Sequence, residues 1–254
     1  MNKDLYILYL YNYALCIKNR KPMTKYILKD LKELVKEEDI YNPVTHLIIG
    51  YNFNQPLKKG DIPNSVTHLI LEQKFNQPLK NGDIPNSVTH LVFGKGFNQP
   101  LKKDDIPNSV THLKFGDNFN QPLHENDIPN SVIELTFGNN FNQPIKKGVI
   151  PKSVTNLIFG NKYEQELKES DIPNSVIDLT FGMYFNKSLK KGIIPNSVVH
   201  LKLGCYFNQL LKEDDIPNSV THLVLSEHFN QTLIKVIYQI LLHILLLDII
   251  LINI

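Results

Sequence analysis

One phrase recurs along this chain at a fixed interval. FNQPLKKGDIPNSVTHL occupies residues 53–69, and close copies begin at Phe75, Phe97 and Phe119. The aromatic position continues at Phe141, Tyr163, Phe185, Phe207 and Phe229, always 22 residues on, with no insertion or deletion. The proline of the second half keeps the same step from Pro63 to Pro217. A period held this strictly places equal residues at equal heights in stacked copies of one unit, so the core grows by stacking. The length of 254 residues therefore does not count globular domains.

Each unit reads as one short strand and a folded return. Val-Thr-His-Leu-x-Phe, as in Val110 to Phe115, is β-rich and alternates from the threonine onward. A glycine follows at positions 50, 94, 116, 138, 160, 182 and 204 and turns the chain. The prolines of Gln-Pro and Ile-Pro exclude a continuous helix from the return. Twenty-two residues then make one solenoid turn, with successive strands paired in parallel. Burying the apolar positions of one unit falls well short of the entropy of ordering it, so a single unit does not fold alone. The asparagine after each phenylalanine, from Asn54 to Asn230, and the serine column, from Ser65 to Ser219, suit the satisfaction of backbone groups inside the turns.

Composition narrows the partners. The chain has 27 basic and 25 acidic residues and a net charge of +2, without the clustered excess of cations that nucleic acid requires. Two cysteines, Cys16 and Cys205, are too few for a disulfide framework and fit a reducing, cytoplasmic setting.

The pattern F-N-Q-P-L…I-P-N-S-V-T-H-L at this spacing closely resembles the FNIP repeat family, which is related to leucine-rich repeats, over residues 40–232. The resemblance implies a leucine-rich-repeat-like fold and a protein-interaction role, with no catalytic residues to transfer. It also implies an origin in amoebae or their large DNA viruses, whose host cytoplasm would then be the setting. Relatives of this kind carry a kinase-like or F-box-like module beside the repeats in some cases. Tyr163-Glu164-Gln165-Glu166, Lys187-Ser188 and Pro151-Lys152 depart from the motif words but keep the period.

Positions that vary are free to carry function. By analogy with leucine-rich repeats, the valine, leucine and phenylalanine of V-T-H-L-x-F point inward, while the histidine and x positions point outward. The first outward column reads His46, His68, His90, His112, Glu134, Asn156, Asp178, His200, His222. The second begins Ile48, Ile70, Val92, Lys114 and includes Ile158 and Lys202. These residues form the candidate partner-binding face. Three readings of the histidines stand side by side: a relic of repeat expansion on a solvated strand, a protein-binding face with its aliphatic neighbours, or a metal site. A flat ladder does not supply the three or four converging ligands of a zinc site. Four neighbouring histidines should also repel when charged, which predicts depressed pKa values and lower stability below about pH 6.5.

Both ends leave the repeat. Residues 1–39 hold apolar stretches from Leu5 to Ile17 and Tyr26 to Val35, and Leu28, Leu31, Leu34 and Val35 recur at helical spacing. A helical cap is expected there; a signal peptide is disfavoured by the tyrosines and the absence of a small-residue cleavage site, and an F-box-like module by the missing Leu-Pro start. Residues 233–254 are apolar, free of Pro and Gly, and long enough to cross a membrane, although Asp248 opposes insertion. A capping helix is the first expectation for them and a membrane anchor the second. The expected architecture is a β-rich solenoid of about nine turns, with a parallel sheet on one face and helical end segments. The expected function is a non-catalytic protein-interaction scaffold without cofactor; the alternative is a membrane-anchored structural protein.

Overall fold

A computed structural model describes residues 25–28 (backbone only), 44–226 and 228–232. Its strands are β1 (Lys25–Leu28), β2 (His46–Ile49), β3 (His68–Leu71), β4 (His90–Phe93), β5 (His112–Lys114), β6 (Glu134–Thr136), β7 (Asn156–Ile158), β8 (Asp178–Thr180), β9 (His200–Lys202) and β10 (His222–Val224). They form one parallel sheet in chain order. From β2 onward the register equals the repeat, so His68 lies beside His90 and Leu69 beside Leu91. Consecutive parallel strands need a crossover, and here each crossover is the rest of one turn.

β1 corrects one expectation. Tyr26, Ile27 and Leu28 were assigned to a helical stretch, yet Lys25–Leu28 pairs in parallel with β2. The edge of β2 offers a row of backbone donors and acceptors to any short β-prone segment, and Lys-Tyr-Ile-Leu is one. Its register step, Lys25 to His46, is 21 residues rather than 22. Leu31, Leu34 and Val35, with residues 1–24 and the run 233–254, lie outside the described residues.

Inside the turns, each repeat position forms a continuous file. Val66, Leu69, Leu71, Phe75, Leu79 and Ile84 are all buried, as are their equivalents up to Ile216, making one unbroken core from Val44 to Val220, against which Leu223, Leu225 and Phe229 of the last described turn are half-buried. The phenylalanines of Phe-Asn-Gln stack at 6.0–6.3 Å between ring centroids, from Phe53 to Phe229. A second file, Phe93, Phe115, Phe137, Phe159 and Phe181, runs at 5.4–5.9 Å. The two interleave, with Phe93 stacked 4.0 Å from Phe97.

Polar files close the turns. Asn54 Oδ1 accepts the backbone N–H of Asn76 at 2.8 Å, Asn76 serves Asn98 at 2.9 Å, and Asn98 serves Asn120 at 2.9 Å. Gln77 and Gln99 donate to the same asparagine oxygens. Ser109, Ser131 and Ser175 donate to the valine carbonyl one turn back, at 2.6–2.7 Å. The asparagine file does the work expected of it, and so does the serine file except at Ser87 and Ser219, whose buried hydroxyls meet no partner. A third was not foreseen. Asp83, Asp105, Asp127, Asp171 and Asp215 are buried, each accepting the backbone N–H three residues earlier, as in Lys102 N–H to Asp105 Oδ2 at 2.8 Å. The preceding residue holds positive φ in every turn, as at Gly60 (93°) and Asp104 (70°).

The stack is curved. Equivalent atoms in successive turns are related by one operation, so their separation grows with distance from the centre of curvature. On the outward strand face His68 and His90 have ring centroids 4.0 Å apart, while across the sheet Phe93 and Phe115 are 5.8 Å apart. The outward strand face is therefore concave. With the two files about 10 Å apart, each turn rotates by about 10°, and a full circle would take roughly 30–40 turns.

Candidate interaction face

The concave face is built by the outward residues of β2 to β10. His46, His68, His90 and His112 stack with ring centroids 4.0–4.1 Å apart and planes 11–14° from parallel. Each Nδ1 lies 2.8–2.9 Å from the Oγ1 of the preceding threonine: Thr45, Thr67, Thr89 and Thr111. Those hydroxyls stand 3.2 Å from the threonine carbonyl one turn back in Thr67, Thr89 and Thr111. The threonine file thus sets the ring orientation through Nδ1, and no acid reaches the Nε2 of His46, His68 or His90 among the described residues. The position was read from the histidines alone; the threonine beside each one is what turns four side chains into one array.

The array ends on an acid. His112 Nε2 lies 3.5 Å from Glu134 Oε1. Thr155 Oγ1 donates to Asn156 Oδ1 at 2.7 Å, and Asn156 Nδ2 donates to Asp178 Oδ2 at 3.0 Å. Asp178 Oδ1 then meets His200 Nδ1 at 2.5 Å. His222 lies beside His200, its ring tilted by 45°.

His68 and His90 titrate below the ordinary histidine value. Burial is the first cause for both, followed by the charge of neighbouring rings: His46 and His112 for His68, and His112 and His68 for His90, where Glu134 opposes. At these two of the four stacked rings the expected depression is present, with desolvation ahead of repulsion.

The neighbouring column is less uniform than its sequence. Ile70 and Val92 are half-buried, and Lys114 and Lys202 are exposed. Ile48, expected to face outward, is only 8 % exposed. Strand position alone does not explain this, since Ile158, on an equally internal strand, is 44 % exposed, and nothing in the described residues accounts for the difference. Elsewhere the face is more apolar than expected. Ile133 and Ile177 replace threonine in the file before the histidines and are 42 % and 41 % exposed, close to the 44 % of Ile158. The substitution was visible in Ser-Val-Ile-Glu-Leu and Ser-Val-Ile-Asp-Leu, but only the histidine and x columns were read as outward. In the turns that follow β8 and β9, Tyr184 and Tyr206 stack at 5.4 Å, and Tyr206 meets His228 at 4.8 Å, another file that the repeat pattern does not single out.

A metal does not suit the histidine array. Parallel rings aim their nitrogens in parallel, whereas a zinc site needs convergence. Among the described residues no group of three or more His, Cys, Asp and Glu could hold a metal ion.

A family model described as FNIP Repeat matches residues 36–74, 75–118, 119–162, 163–206 and 207–237. The chain belongs to the FNIP repeat family. No curated protein matches it. The FNIP array is similar to CroV588, a giant-virus protein whose crystal structure is described as a novel circular LRR protein structure, with a TM-score of 0.74 and 45 % identity. That match covers 78 % of this chain and 29 % of the other, so this chain spans under a third of that protein's length. The FNIP turns are thus of leucine-rich-repeat type. No helix among the described residues is long and apolar enough to cross a membrane.

Proposed function

We propose that this FNIP solenoid is a non-catalytic protein-interaction scaffold that engages its partner through the concave strand face. The observation that carries the reading is the contrast between files. Core, asparagine and serine files repeat almost unchanged, because each turn must fit the next. The concave file changes from histidine to glutamate, asparagine, aspartate and back within the same backbone. Solvated variation of this kind costs the fold little and gives each stretch of the surface its own chemistry. Exposed Ile133, Ile158 and Ile177 beside Glu134 and Asp178 supply apolar contact with a polar surround, the usual composition of a recognition surface.

The test is affinity capture with the full chain and with a variant carrying His68→Ser, Ile70→Ser, His90→Ser and Val92→Ser, both checked for native circular dichroism. Loss of captured proteins from the folded variant supports the reading; identical capture by both forms refutes it for this part of the face.

A further inference from the structure

We propose that the first four histidines of the concave face bind a carboxylate-rich, extended segment of a partner protein. The proposal rests on the interaction reading above and names the chemistry of the partner. Both acids carried by the strand face already sit against a histidine of the neighbouring turn: Glu134 on His112 and Asp178 on His200. The face therefore satisfies its own carboxylates through imidazoles. No such acid reaches His46, His68 or His90 among the described residues. The register position before His46 is Lys25, so five successive positions, from Lys25 to His112, hold cationic or protonatable residue types before the first acid.

Geometry favours an extended ligand lying along the stacking axis. The four rings share one orientation because each Nδ1 is held by a threonine hydroxyl. The Nε2 atoms then make a row about 12 Å long, three steps of 4.0–4.1 Å, which an extended chain of about four residues spans. Ile70 and Val92 run beside the row as a half-buried apolar rail. A second copy of this solenoid does not fit, because two concave faces cannot close on one another.

The ionisable side chains of β2 to β6 are His46, His68, His90, His112, Lys114 and Glu134. Ligand carboxylates stay ionised well below pH 6 while the imidazoles gain protons. Binding therefore takes up protons, and by reciprocity it tightens as pH falls through the histidine range.

The probe is poly-L-glutamate titrated into the full chain at pH 7.5 and 5.5, with the histidine Cε1–H resonances followed by NMR. Binding should be about tenfold tighter at pH 5.5, with resonances of the stacked histidines shifting most. His68→Thr with His90→Thr should remove the pH-dependent gain, whereas His200→Thr with His222→Thr should keep it. The double threonine variant preserves a β-prone residue at each site, and its circular dichroism verifies folding. Equal binding by wild type and His68→Thr/His90→Thr, no gain at pH 5.5, or no binding at all would overturn the proposal. If poly-L-glutamate fails to bind while the serine variant above still loses its captured proteins, the acidic partner is wrong and the interaction reading stands.

Discussion

The imidazole of His68 stacks on that of His90 with ring centroids 4.0 Å apart and planes 14° from parallel. Neutral rings gain from this contact, and charged rings lose it. Both residues have folded pKa values below the ordinary histidine range. In the unfolded chain they take up protons near pH 6.5. Between that value and the lower folded one, the unfolded state holds more protons, so stability present above about pH 6.5 is lost as pH falls. The melting temperature should be lower at pH 5.5 than at pH 7.5, and the drop should be smaller in His68→Thr/His90→Thr. Equal drops in the two proteins would show that the stack has no such role.

Gly138 illustrates a constraint of a different kind. A Cβ there would lie 1.7 Å from the carbonyl oxygen of Gly116. The glycine file exists because backbones of successive turns nearly touch. Gly138→Ala should cost more than about 3 kcal/mol, through displaced backbone on both sides. Gly60→Ala meets open space but must adopt a φ of 93°, and should cost about 1–2 kcal/mol. Urea denaturation of the two variants gives the comparison; equal costs would contradict the close-approach account.

Tyr163 stands in a phenylalanine file and is fully buried. No well-formed hydrogen bond reaches its hydroxyl; burial raises its pKa strongly, and a weak interaction with the Ile145 backbone offsets only part of the shift. Tyr163→Phe removes an unsatisfied polar group without altering the ring stack between Phe141 and Phe185. It should stabilise the protein by about 1 kcal/mol. A loss of stability in urea denaturation would mean that the hydroxyl is satisfied in solution.

Asp105 shows the cost of a carboxylate file. Its pKa is raised, by burial first and then by Asp127 and Asp83 on either side, against the hydrogen bond from Lys102 N–H. Asp105→Asn keeps an acceptor for that N–H and removes the charge, so stability at pH 7 should hold or rise. Asp105→Ala leaves the N–H unpaired and should lose about 1–3 kcal/mol. Thermal melts of the pair at pH 7 check the order.

Much of this was legible in advance because the period is unbroken. The strand position, the inward Val-Leu-Phe set, and the asparagine and serine files follow from placing equal residues at equal heights. What escaped depends on contacts between turns or at the ends of the stack. The glycines after each strand signalled a turn, but not that a neighbouring carbonyl leaves no room for a methyl group. The aspartate before Ile-Pro repeats in the sequence, but only the folded turn brings its Oδ2 to the backbone N–H three residues earlier. Ile48 belongs to an outward column, yet at the first described turn of the stack it is buried, which the repeat pattern alone does not show. Ile133 and Ile177 sit where most turns have threonine, and reading only two columns as outward passed over them.

In the proposed scaffold the partner meets the concave face rather than the turns on the other side. Val92→Cys places a reactive thiol on that face and Lys147→Cys places one on a turn on the other side. Each full-length variant is treated with a short maleimide–photocrosslinker in cell extract, with the parent chain as background for Cys205. Specific adducts from Val92→Cys and none above background from Lys147→Cys are predicted. Adducts from Lys147→Cys alone would contradict a concave binding face.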